Sequence, residues 1–156
     1  AWLLKVKEEL IRKVRAGKGG ENPDMHTNDD QSRLSVRDVR NAEVEILRHV
    51  QQESFAEDIA ILKAGKPVPR SSKLRKLDPI LSDGLLRVGG RLGNAPYASD
   101  FKHPIILPKD HDVVTMIIRQ AHERVGHMGS EYTLAETRSK YWILHGRRSV
   151  CRTIRE

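Results

Sequence analysis

One cysteine, Cys151, stands in 156 residues, so no internal disulfide can form and nothing suggests a secreted disulfide scaffold. Aromatic residues make up 4% of the chain and hydrophobic residues 38%. Such a composition implies a modest core built mostly from helices, of the kind that often needs a metal, a partner or a neighbouring domain. No apolar run approaches the roughly 18 residues that span a bilayer. Trp2-Leu3-Leu4 gives way at once to Lys5, Lys7, Glu8 and Glu9, so no signal peptide is expected. A preorganised carboxylate cluster of the kind that holds catalytic metal ions is also missing. Asp29-Asp30 falls in a linker-like stretch, and Glu8-Glu9, Glu43 and Glu45 fall on polar helix faces. With Ala1 first and a helical pattern running to the last residue, the chain is expected to be an excised piece.

Positive charge is what the sequence has in excess, and its distribution is uneven. Residues 1–70 hold 13 Lys and Arg against 12 Asp and Glu, a net of +1; residues 71–156 hold 15 against 9, a net of +6. Five of the seven histidines also lie in the second half. A basic surplus confined to one region suits a phosphate backbone or another acidic partner.

Periodicity divides the chain near residue 70. Trp2, Leu3, Val6, Leu10, Ile11 and Val14 predict an amphipathic helix over 2–15, followed by a flexible linker at 16–33. A second helix is predicted from Ser35, capped by Ser35 and Asp38, to about Ala64. Its apolar stripe drifts near Glu53–Phe55, which predicts a break, and Gly65-Lys66-Pro67-Val68-Pro69 ends it. Beyond residue 71, Ile80-Leu81 and Leu85-Leu86-Arg87-Val88 flank Asp83-Gly84, the signature of a tight hairpin. Ile105-Ile106-Leu107, bounded by Pro104 and Pro108, predicts a short strand at a sheet edge. Asp110 is the expected cap of a helix over 111–124; a further helix opens at Ser130 and runs to about Lys140, and a last one begins near Arg147.

The expected fold class is therefore α+β, mainly helical. A helical connector (1–70) leads into a hairpin and edge strand, then into a three-helix, zinc-finger-like or helix-turn-helix-like bundle (71–156).

The sharpest chemical constellation is His122-Glu-Arg-Val-Gly-His127. One imidazole at a helix end and another in the glycine turn after it can converge on a single Zn²⁺, which favours His nitrogen and Cys sulfur in tetrahedral structural sites. By itself a pair at this spacing reads more readily as a helix-capping histidine beside a surface one. Only Cys151, His145, His111 and His103 are available to complete a tetrahedron, and Cys151 between Val150 and Ile154's turn suits a small buried apolar role better. Arg148, Arg152 and Arg155 recur at i, i+4 and i+7 with Arg147 beside them, a face suited to bidentate phosphate contacts or to plain solvation. Arg138 and Lys140 on the preceding helix are placed to reach a duplex if residues 111–140 act as a metal-free helix-turn-helix. Tyr141 and Trp142 are assigned to packing under the histidine turn. The glycines of "GLLRVGGRL" lack the context of a phosphate loop and are assigned to the hairpin.

Residues 72–155 resemble the integrase zinc-binding region of BEL/Pao-type retrotransposon polyproteins. The resemblance lies in "SKLRKLDPIL", "DGLLRVGGRL", "KHPIILPKDH", "HERVGHMGSEYTLAETRSKYWI" and "GRRSVCRTIR". The N-terminal part is similar, more loosely, to the segment joining ribonuclease H to integrase. The resemblance implies a His-His-Cys-Cys zinc site with His122 and His127 as its histidines. The Cys-x-x-Cys half would follow Glu156, so the domain is expected to be incomplete and zinc to be held weakly by a half-site. It further implies DNA and the rest of the polyprotein as partners, self-association, and a place in the nucleus or a virus-like particle. The role would be support of DNA integration without catalysis, the catalytic carboxylates lying elsewhere. Three rival readings are a domesticated protein-interaction module using the amphipathic helices, the metal-free DNA-binding domain, and a metal nuclease built on His122 and Glu123.

Overall fold

The computed structural model describes residues 36–90 and 102–155. The helix over 2–15, the linker at 16–33 and the cap at Ser35 lie outside the described residues. The chain forms two compact units, 1–46 and 47–156, and the first helix, α1 (Val36–Lys63), runs through the division. In the first unit Val36 and Val39, expected on an inward stripe, are exposed.

The second unit begins within α1. Phe55 carries non-helical angles (φ −138°, ψ 29°), which is the predicted break. Past Lys63, Gly65 adopts φ 71°, and the amides of Gly65 and Lys66 bond the carbonyls of Leu62 and Ile61 at 3.0 and 3.1 Å. Glycine closes the helix because it enters the left-handed region without a Cβ clash.

Strands β1 (Ile80–Ser82) and β2 (Leu85–Arg87) pair antiparallel with Ser82 opposite Leu85. The turn between them, Asp83-Gly84, has positive φ at both residues (52° and 74°), the requirement for a two-residue turn matched to strand twist. β3 (Ile105–Leu107) is fully buried and lies inside the sheet, whose order is β1-β2-β3-β4. The edge placement expected from its prolines is thus corrected. Pro104 and Pro108 flank the strand, so all three of its amides remain available for the ladder. The fourth strand, β4 (Tyr141–Ile143), pairs parallel to β3, with Ile106 opposite Trp142. Tyr141 and Trp142 therefore belong to a strand, an environment that aromatic and β-branched residues favour.

Three helices complete the unit: α2 (Asp112–Arg124), α3 (Ser130–Arg138) and α4 (Gly146–Arg155). They pack on one another, and β4 enters between α3 and α4, tying the helices to the sheet. Phe55, Ile59, Leu74, Leu86 and Ile106 form a buried cluster under α1. Val114, Ile118, Leu134 and Val150 are buried among the C-terminal helices. The architecture is α+β, and no helix among the described residues is long and apolar enough to cross a membrane.

Gly89 shows why a glycine follows β2. A Cβ there would sit 2.0 Å from the carbonyl oxygen of Asp78, and the Gly89 amide donates to the Leu77 carbonyl at 3.1 Å. The clash is with backbone, which cannot swing aside. Gly89→Ala is therefore expected to destabilise the unit by about 1–3 kcal/mol, the usual cost of overpacking. Urea unfolding measures it, and an unchanged midpoint would mean that these two segments do not approach as described.

Candidate metal centre and basic face

Both ends of α2 are set by histidines. At its start the Nδ1 of His111 accepts the Val113 amide at 3.1 Å, and its other nitrogen, Nε2, lies 3.2 Å from a carboxylate oxygen of Glu53. With Nδ1 accepting, Nε2 carries the proton and donates to Glu53. His111 is thus the N-cap, and the expectation that Asp110 caps this helix is corrected. Asp110 is drawn instead to Arg152 at 2.7 Å and Lys109 at 3.1 Å, cations that a carboxylate prefers to neutral amides.

At the other end, the amide of Gly126 donates to the Glu123 carbonyl and that of His127 to the His122 carbonyl, both at 3.0 Å. Gly126 and His127 both have positive φ (60° and 59°). This is the paired 5→2 and 6→1 pattern of a Schellman C-cap. It explains the five-residue spacing: the motif bonds the second histidine's backbone directly to the first. The rings of His122 and His127 meet edge to face, centroids 4.6 Å apart and planes at 82°. His122 is half-buried and His127 exposed.

Thr133 on α3 orients the half-buried member. Its hydroxyl donates to the Gly129 carbonyl at 2.8 Å and also lies 3.0 Å from His122 Nδ1. A carbonyl can only accept, so the single hydroxyl proton is committed to Gly129 and His122 Nδ1–H must donate to Thr133. His122 Nε2 is left with its lone pair, the form that ligates a metal, and the partner on Nδ1 fixes ring orientation. Nothing in the local sequence marks Thr133; only its place in the buried Thr133, Leu134, Thr137 stripe of α3 hints at a role.

The donor chemistry of this pair fits zinc, but it fits half a tetrahedral site. Among the described residues no group of three or more His, Cys, Asp or Glu gathers where a metal ion could bind. Neither Cys151 nor His145 joins the pair, His111 is occupied as a cap, and His103 Nδ1 contacts the Val88 carbonyl at 2.9 Å. The residues that would hold the ion are His122 and His127, and a structural zinc there would clamp α2 to the turn before α3.

The arginines expected on one helical face all lie on α4 and are exposed, while Ser149, Val150 and Thr153 turn inward. They are not equally available. Arg147 pairs with Glu131 at 2.8 Å and Arg152 with Asp110 at 2.7 Å. Arg148 and Arg155 have no ion-pair partner among the described residues. Arg152, then Lys109, hold the Asp110 carboxyl below the usual carboxylate range. The lowered value means that this pairing is complete above the ordinary carboxylate pKa and is lost only as pH falls through the lowered one. Arg138 lies over the Trp142 ring at 5.6 Å and Lys140 over Tyr141 at 5.2 Å. The acidic partners Glu131 and Asp110 are far from α4 in sequence, so helical periodicity could not reveal them.

Residues 109–156 match the family model of the integrase zinc binding domain. The matched stretch takes in α2, the histidine turn, α3, β4 and α4, and so both histidines and the four arginines of α4. No curated protein and no solved structure matches the chain.

Proposed function

We propose that the chain is the integrase zinc-binding region of a BEL/Pao-type retrotransposon polyprotein, preceded by the segment that joins ribonuclease H to integrase. In this reading residues 71–156 bind element DNA and support multimerisation during integration, in the nucleus or a virus-like particle. They do so without catalysis of their own. His122 and His127 hold zinc weakly, as half of a His-His-Cys-Cys set, and α4 presents Arg148 and Arg155 to phosphates. The observation that carries the proposal is the Schellman-linked, tautomer-set histidine pair inside the matched segment. A metal-free helix-turn-helix is the second reading, favoured by a turn that backbone hydrogen bonds already close without an ion. Resistance of DNA affinity to zinc chelation would select it.

Binding of the 156-residue chain to a blunt labelled duplex, followed by fluorescence anisotropy across a salt series, tests the DNA role. Affinity is expected to fall steeply with salt through counterion release. Arg148→Ala with Arg155→Ala should flatten the log–log slope by about 1.8, roughly 0.9 for each phosphate contact removed. A salt-independent affinity, or none, would instead favour a protein-interaction module presenting Val36 and Val39, which are exposed on α1.

A further inference from the structure

Beside the basic face lies a cleft of about 360 Å³ where α3, β4 and the start of α4 meet. Its walls include Arg138, Tyr141, Trp142, His145, Arg147 and Arg148. The size falls within the range of about 300–1,000 Å³ typical of small-ligand sites. Three arginines and a histidine, all exposed, line the cleft together with the half-buried Trp142, and Arg138 already lies over the face of the Trp142 ring. Tyr141 and Trp142, assigned from sequence to packing, belong to β4 and are among the residues that line this cleft.

We propose that the cleft receives an unpaired nucleotide of a nucleic-acid strand, its base against Trp142 and its phosphate on Arg147 and Arg148. The inference rests on the nucleic-acid reading above and goes beyond it, since duplex contacts need only the outer arginines. Cations alone would suit any polyanion, and aromatic faces alone any apolar group. Together they select a ligand carrying an anionic backbone and a flat π surface within one residue's reach. Single-stranded sites combine the same two elements, a basic track and stacking rings that tolerate any base. Within a duplex a base is hydrogen-bonded along its edge and covered on both faces, so a nucleotide inside a duplex cannot enter. Arg138 would cap the far face of the base and sandwich it on Trp142, and the Arg147–Glu131 pair, exposed at both ends, would exchange its carboxylate for phosphate.

The chain has two tryptophans, so a Trp2→Phe background leaves Trp142 as the sole indole reporter. In that background, a blunt duplex and the same duplex with a short unpaired 3′ overhang are titrated by anisotropy and by tryptophan fluorescence. The overhang is expected to bind about 5- to 150-fold tighter than the blunt end, from the stacking of one base, and to quench Trp142. Trp142→Ala should bring the ratio of the two affinities to about one, Trp142→Phe should keep most of it, and Arg138→Gln should lower it. The ratio is insensitive to a loss of folded protein, which reduces both affinities alike. Equal affinities for the two probes, or a preference that survives Trp142→Ala, overturns the proposal while leaving duplex binding intact. Loss of binding to both probes by the unsubstituted chain would overturn the nucleic-acid reading itself. A deoxy- and a ribo-overhang of the same sequence distinguish the source of the unpaired strand.

Discussion

Replacing Gln51 with leucine is expected to cost the second unit about 2–5 kcal/mol of stability, although the two side chains are similar in size. Gln51 is fully buried on α1, and its amide does the work of a missing strand segment. Its Oε1 accepts the Leu86 amide at 2.8 Å, and its Nε2 donates to the Leu86 and Ile106 carbonyls at 2.9 and 2.7 Å. In the hairpin register Leu86 stands opposite Leu81, one step in from the closing pair Ser82 and Leu85. Alternation of antiparallel bonds then turns the Leu86 amide and carbonyl away from β1. On that side β2 and β3 share a single residue pair, Arg87 with Ile105, so the strands splay and the side-chain amide fills the gap. Leucine would leave three buried backbone groups without these partners, at about 1–3 kcal/mol each. Its added apolar burial recovers only part of that. Urea or thermal unfolding reads the difference directly. A loss below about 0.5 kcal/mol, the range of an ordinary surface change, would mean that α1 is not docked on the sheet through this residue.

The second large effect concerns Thr133. In a zinc titration of the purified chain against a chromophoric chelator, weak binding is expected, and His122→Ala or His127→Ala should abolish it. Thr133→Val should weaken zinc affinity about 10- to 100-fold, the usual cost of removing a ligand's outer partner, although valine touches no metal. Without the hydroxyl, His122 Nδ1 has no fixed acceptor, and the ring is free to carry its proton on Nε2, which then cannot ligate. Thr133→Ser keeps the hydroxyl and should keep affinity within a few-fold. The valine variant also loses the bond to the Gly129 carbonyl, worth about 1 kcal/mol, so its stability must be measured in parallel. Zinc affinity unchanged in Thr133→Val would mean that the tautomer is not set by this contact. Tight stoichiometric zinc in the unsubstituted chain would mean that further ligands gather around the pair.

Much of the site was legible in the sequence because its signals are local. Gly126 between His122 and His127 marks a C-cap, and a C-cap of that type joins those two backbones whatever surrounds them. The α4 arginines follow from helical period, and Asp83-Gly84 and Gly65 mark their turns because each needs positive φ. Where the sequence misled, the deciding contact was distant. Asp110 is a better intrinsic cap than His111, yet Arg152, 42 residues away, takes its carboxylate. β4 is three residues long, too short for any periodicity, and exists because β3 offers it a parallel edge. That pairing also moved β3 from the rim to the interior and set Trp142 at the edge of a cleft.

From the chain alone came the elements with their own punctuation: the kinked helix, the hairpin, the histidine turn and the basic last helix. Each rests on backbone preferences and spacings that act within a few residues. Only the tertiary structure decided which proton His122 keeps, which arginines are already neutralised, and how Gln51 bridges two strands. Those outcomes depend on groups brought together from tens of residues apart, where hydrogen-bond and charge partners are chosen by proximity in space.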